Sequence, residues 1–435
     1  MGEYIPMSQK ERLEMLDFLG ISSEEELFKD IPQSIILNKP LNLPKGISEL
    51  ELLNKMTEMS EKNHVFKTIL RGAGAYDHYI PAVVDAIANK EEFVTAYTPY
   101  QAEISQGVLQ SIYEFQSMIC SLTGLDSSNA SVYDGATAAA EAVNMCVDKK
   151  RTKALVSAAI KPDILEVIKT YCFGSGTEVV VVPEKDGETD VSVLKKLSGE
   201  AASFYYEQPN LFGIIEDSEA IKASLDEKTH LIMGVNPISL GVLKTPAEID
   251  ADIAVGEGQP LGMHLGFGGP YLGFMTCKAS LLRKLPGRIV GETTDKNGNR
   301  GFVLTLQARE QHIRREKASS NICSNQANCA LRATIYMSAM GKKGIREAAI
   351  QSMSKAHYMA DAFAAAGLTL KYNKPFFNEF VTKANGKTDI ILKKLEENDI
   401  LGGLPLQNGD ILWCATEKVS REKIDMTAKL IKEVL

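Results

Sequence analysis

The chain has 435 residues, of which 44% are hydrophobic and 24% charged. That is more than one compact core usually holds, so two or three packed domains are expected. Its 48 basic and 56 acidic residues leave a net charge of −8, which argues against a surface built to track the phosphates of DNA or RNA.

The opening MGEYIPMSQKERLEML lacks the basic-then-apolar pattern of a secretory signal, and Pro6 stands where myristoylation prefers Ser or Thr. No run of 18 apolar residues occurs. A cytoplasmic protein with no membrane or lipid anchor is expected. Residues 1–62 read as a helical arm and strap. Ser22 to Glu26 carries a Ser cap with Glu at the reciprocal position, predicting a helix that Pro32 stops. The following ILNKPLNLPKG, with Pro40 and Pro44, predicts an extended strap of the kind that oligomers lay over a neighbour.

Residues 63–327 read as a large α/β domain. The loop from Arg71 to Pro81 has two glycines and sets His78 among aromatics, which suits either a ligand loop or a tight turn with a satisfied histidine. Tyr97, Thr98, Tyr100 and Gln101 bring two phenols, a hydroxyl and an amide into five residues, a cluster suited to a small polar ligand. From Gln106, apolar residues Val108, Leu109, Ile112, Phe115, Ile119 and Leu122 recur on one helical face, with Gly124 as the stop.

Asn129 to Glu141 turns into an alanine-rich helix whose first amides suit an anion, with Thr137 among them. Asp134 complicates that, because a carboxylate cap satisfies those amides and repels phosphate. Short β-branched runs at 154–157, 178–182, 203–206, 230–235 and 252–255 then alternate with helix-like segments, the rhythm of a mainly parallel sheet. Six glycines between Gly256 and Pro270 make a loop where backbones or ligands meet. The charged run from Arg309 to Lys317, beside Ser319-Ser320-Asn321, suits either a solvated face or an interface.

Residues 328–435 read as a smaller α+β domain, with helices to about Met340 and from Gly344 to Ala366, a few strands, and a last helix from Ser420. The seven cysteines are scattered without a CxxC pair, which suggests buried structural thiols rather than disulfides or a zinc site.

Six strings, RGAGAYDHYIP, YTPYQAEISQG, NASVYDGATAAAEA, DIAVGEGQPLGMHLGFGGPYLGF, PGRIVGETTD and GFVLTLQAREQHIRREKASSNIC, span residues 71–323 in order. They resemble the N-terminal half of the glycine-cleavage P-proteins, pyridoxal-phosphate-dependent glycine decarboxylases that some bacteria split into two subunits. The resemblance implies pyridoxal-phosphate fold type I, the aspartate-aminotransferase-like fold, with a large parallel-sheet domain and a small C-terminal one. It also implies a heterotetramer with a homologous subunit 2 that carries the cofactor lysine. Together the two would decarboxylate glycine and pass the aminomethyl group to the lipoyl arm of the H-protein.

A pyridoxal enzyme needs an amine for the cofactor aldehyde and usually an acid beside the pyridine nitrogen. Laid on subunit 2, its His-Lys pair falls on Gln259-Pro260, and proline has no amine; the strand before ends in Asn236 rather than Asp. Lys161, Lys244 and Lys278 read as surface residues near turns or helix ends. The expectation is therefore a subunit with no catalytic lysine of its own. Tyr97, Thr98, Tyr100, Gln101, His78, Asp134, Thr137 and Arg309 are its candidate active-site or interface residues. The alternatives are an autonomous pyridoxal-phosphate lyase or transferase, and a scaffolding homologue outside turnover.

Overall fold

The structure is a computed structural model that describes residues 8–318 and 320–435. Contacts divide the chain into two bodies, the first ending at Val65 and the second starting at Phe66.

In the first body, helices Gln9–Leu19 and Glu49–Ser60 each open on a reciprocal cap, Ser8 with Glu11 and Ser48 with Glu51. The helix expected from Ser22 does not form: the segment makes only a five-residue 3-10 stretch, Glu24–Phe28, and Ser23 makes no capping bond. The Glu26 carboxylate instead accepts a hydrogen bond from the Ser22 amide at 2.8 Å. The span before Pro32 is too short to repay helix nucleation. Residues 36–48 carry neither helix nor strand. No described residue of this body is buried, and Phe18 is 89% exposed.

The second body is built on a seven-stranded sheet. Its order is Ser127–Ser128, Gly273–Cys277, Ile253–Glu257, His230–Val235, Ser203–Gln208, Lys153–Ser157 and Glu178–Val182. The last five are parallel and the first two join antiparallel, so the sheet is mixed with a parallel majority. The five β-branched runs are these five parallel strands. Near-continuous apolar sequence is what a strand covered on both faces requires.

On one face, helix Gln106–Thr123 lays Phe115 and Ile119 against Phe204, Met233 and Phe274. On the other, helix Gly135–Cys146 packs Ala138, Ala142 and Val143 against Val156, Tyr205 and Val255. Alternating residues such as Phe204 and Tyr205 serve opposite cores, as the strand pleat dictates. A third core gathers Phe363, Phe380, Trp413 and Ile424 from helices Ala327–Ala366 and Arg421–Lys432 and the strands Glu379–Thr382 and Ile411–Cys414. The long helix breaks at Gly341, whose φ of 58° and ψ of −178° lie outside the helical region. This is where the sequence separates two helices. No helix among the described residues is long and apolar enough to cross a membrane.

Candidate functional site

A cavity of about 420 Å³ opens at the C-terminal ends of the parallel strands, where open α/β sheets bind ligands. Its floor is made by Glu207, Asn236 and Glu257, at the ends of three neighbouring strands, and by the start of helix Gly135–Cys146. Its other wall comes from the loop 72–76 and from Glu379, on the first strand of the C-terminal sheet.

The helix start is already occupied by the chain's own carboxylates. Asp134 Oδ1 accepts from the Thr137 amide at 2.7 Å, and Glu257 Oε2 accepts from the Gly135 amide at 3.0 Å. A Cβ on residue 135 would lie 2.8 Å from the Glu257 backbone nitrogen, so only glycine lets this strand end meet the helix. Burial pushes the Glu257 carboxyl up to about 7, against hydrogen bonds from Gly135, Leu272 and Gln259 that favour its ionised form.

Lys161 is not the surface residue expected from its place before a helix. It lines the cavity, with its Nζ 2.7 Å from Glu207 Oε1 and its backbone amide donating to Oε2 at 2.8 Å. Burial alone would pull the lysine pKa down, but Glu207 outweighs it and holds the ammonium above its ordinary value. Glu379 accepts from the Ala73 amide at 2.6 Å and the Tyr76 hydroxyl at 2.7 Å, tying the loop to the wall. Lys244 is exposed and pairs with Glu219, while Lys278 pairs with Asp250 and Asp252.

The lining does not fit pyridoxal phosphate. Pro260 is buried, and the Gln259 amide is locked to Tyr76 by bonds of 2.8 and 3.0 Å. Asn236 turns its Oδ1 to the Ile238 amide and leaves Nδ2 buried without a partner, where an acid would be needed. A phosphate dianion at the helix start would meet Asp134 and Glu257, and the cavity's lysine is committed to Glu207.

The candidate residues fall in four places. Asp134 and Thr137 sit at this cavity's helix start. His78 is 4% exposed and lies outside the cavity lining, its Nδ1 2.7 Å from Glu417 Oε2, an arrangement that braces a turn. Tyr97, Thr98, Tyr100 and Gln101 lie on an irregular segment between short 3-10 turns, well apart in sequence from the cavity lining. Tyr97 is 83% exposed, whereas the Thr98 hydroxyl oxygen is buried with no partner. The Tyr100 ring lies edge-on to His312 and takes the Arg288 guanidinium 5.7 Å from its centroid. Arg309 lines a second, smaller cavity with Arg288. Arg288, Lys161 and Glu207 were not singled out as site residues by the sequence; Arg288 stands in the string PGRIVGETTD, which was the available signal.

Glu141, also on the Gly135–Cys146 helix, is 3% exposed and accepts from Ser320 Oγ at 2.9 Å. Ser319, beside it in the polar stretch, lies outside the described residues. Burial raises the Glu141 carboxyl from 4.5 to about 7. A raised folded-state pKa costs nothing below the unfolded value and grows as pH climbs from there to about 7. Glu141→Gln is therefore expected to match the wild type near pH 4.5 and to be more stable at pH 8, by up to about 3 kcal/mol. Thermal unfolding of both forms across that range checks it; a difference constant with pH refutes it.

Residues 2–431 match the glycine cleavage system P-protein family. A relative in Carboxydothermus hydrogenoformans, named probable glycine dehydrogenase (decarboxylating) subunit 1, is 51% identical over 99% of both chains. A second, from Moorella thermoacetica and of the same name, is 48% identical over 99% of both. A crystal structure of glycine decarboxylase (P-protein) of the glycine cleavage system, in inhibitor-bound form, superposes with a TM-score of 0.93 at 38% identity, covering all of both chains. An aspartate aminotransferase from Thermus thermophilus, at 14% identity and a TM-score of 0.60 over 85% of this chain and all of the other, shares the fold alone. The fold is thus pyridoxal-phosphate fold type I, with a large mainly parallel sheet and a small C-terminal α+β part, and the chain belongs to the glycine cleavage system P-protein family.

Proposed function

We propose that this chain is the subunit of a two-part glycine decarboxylase that does not hold the cofactor. Paired in a heterotetramer with a subunit that carries the cofactor lysine, it takes part in glycine decarboxylation and in transfer of the aminomethyl group to the lipoyl arm of an H-protein, in the cytoplasm. The observation that carries this reading is the cavity at the strand ends: its one lysine, Lys161, is tied up by Glu207, its helix start is taken by Asp134 and Glu257, and Asn236 stands where an acid would face the pyridine nitrogen. Pyridoxal phosphate, held by the partner, supplies the electron sink. This chain's part is to line the partner's site from outside. Tyr97, Thr98, Tyr100 and Gln101 would orient a carboxylate or phosphate there by hydrogen bonds. The apolar side chains of residues 8–65, none of them buried, fit a surface covered by a partner.

The autonomous enzyme would need a free lysine in the cavity, and Lys161 is held protonated by Glu207 and is no nucleophile in that state. Mixing purified subunits tests the proposal. The chain alone is expected to bind no pyridoxal phosphate covalently and to exchange no CO2 with glycine, while the mixture does both. A cofactor absorption band and CO2 exchange from the isolated chain would sink it. A scaffold would tolerate Tyr97→Phe and Tyr100→Phe; the reading here expects the reconstituted complex to slow about fivefold for each lost hydrogen bond.

A further inference from the structure

The second cavity holds an imbalance that nothing above uses. Arg288, 6% exposed, and Arg309 both line it. Arg288 Nη2 donates to the Cys323 carbonyl at 2.7 Å and to the Tyr100 hydroxyl at 3.4 Å, and Arg309 Nη2 donates to the Gly287 carbonyl at 2.8 Å. Each guanidinium keeps its Nε sealed from solvent with no acceptor, and neither has a carboxylate within ion-pair distance among the described residues. Buried donors are nearly always satisfied, and two unmet ones on arginines sharing one cavity amount to a local shortage of acceptors. The one carboxylate in the lining, Glu310, has His312 Nδ1 3.5 Å from its Oε2. Two guanidiniums therefore face a single acid.

We propose that Arg288 and Arg309 form a seat for a carboxylate. The enclosed space is about 20 Å³, close to one water-sized sphere, so it admits the leading oxygens of an anion and leaves the rest in the open mouth. A planar two-oxygen group matches that narrow space better than a tetrahedral phosphate does, and because both Nε atoms are sealed it would be met by the outer guanidinium nitrogens. Two sources offer this chemistry, a free carboxylate in solution and an acidic side chain of a partner subunit. The seat needs neither the proposed function nor the partner to be correct, because the full chain alone should bind the probe.

Formate is titrated into the full chain at constant ionic strength, with chloride as the balancing salt, and read by calorimetry and thermal shift. Saturable binding is expected, at least tenfold weaker in Arg288→Met and in the less buried Arg309→Met, which protects the test if the first fails to fold. Binding that survives in the complex with the partner subunit assigns the seat to a free ligand. Binding lost there, with formate weakening assembly, assigns it to the partner's side chain. Equal responses to formate and chloride, or wild-type affinity in Arg309→Met, overturn the seat, and neither result bears on whether the complex decarboxylates glycine.

Discussion

Glu207→Ala is expected to cost the chain about 3–5 kcal/mol, the range for breaking a buried ion pair from one side. The Lys161 and Glu207 side chains are 14% and 7% exposed, and their charged atoms lie 2.7 Å apart. Without Glu207, the ammonium keeps its burial penalty and loses its main compensation; Glu379 acts on it only at longer range, with its own oxygens committed to Ala73 and Tyr76. The backbone amide of Lys161 would lose its acceptor as well. Removing both charges tells a different story: Lys161→Met with Glu207→Leu should recover most of the loss, since a well-packed apolar pair often equals a buried ionic one. Urea unfolding of the three variants reads this as a midpoint shift at constant slope. A Glu207→Ala chain within about 1 kcal/mol of wild type would mean that Lys161 is not bound in the pair, and would reopen it as a reactive amine.

The sheet was legible because each parallel strand declares itself locally. The runs at 178–182 and 230–235 coincide with observed strands, those at 154–157 and 203–206 differ by one or two residues at one end, and that at 252–255 differs at both ends from Ile253–Glu257. Helix Gln106–Thr123 and its Gly124 stop follow from a single apolar face. The proposal that this chain lacks the cofactor lysine rests on an equally local signal, the proline at position 260.

The chemistry of the cavity was not local. Asp134, Lys161, Glu207, Glu257 and Glu379 come from five separate stretches, and each alone looks like a cap, a turn lysine or a strand-end acid. Only the sheet's crossovers bring them together, so Lys161 was read as exposed. Arg288 was hidden for the same reason: its neighbours Tyr100, Arg309 and Cys323 approach it from three other segments.

The largest single-residue effect is expected at Gly213, where alanine should leave little or no folded chain. Its φ of +78° is a left-handed conformation that costs a side chain roughly 1–2 kcal/mol by itself. The greater cost is steric. A Cβ there would stand 2.0 Å from the Glu379 carbonyl oxygen and 2.4 Å from its carbon, and both are backbone atoms of a sheet strand that cannot rotate away. Relief requires the turn to lift off that strand, breaking the bond from the Phe377 amide to the Gly213 carbonyl at 3.1 Å. Glu379 would shift with it, and its side chain anchors Ala73 and Tyr76 across the cavity. Together these put the penalty above about 4 kcal/mol, a large share of a typical folding free energy. Gly199→Ala, where a Cβ would meet open space, is the control and should fold normally. Soluble expression and thermal unfolding of the two variants compare them directly. A Gly213→Ala chain that melts within a few degrees of wild type would show that the turn and the Glu379 strand are not locked together, and the wall of the cavity would then have to be held by something other than this contact.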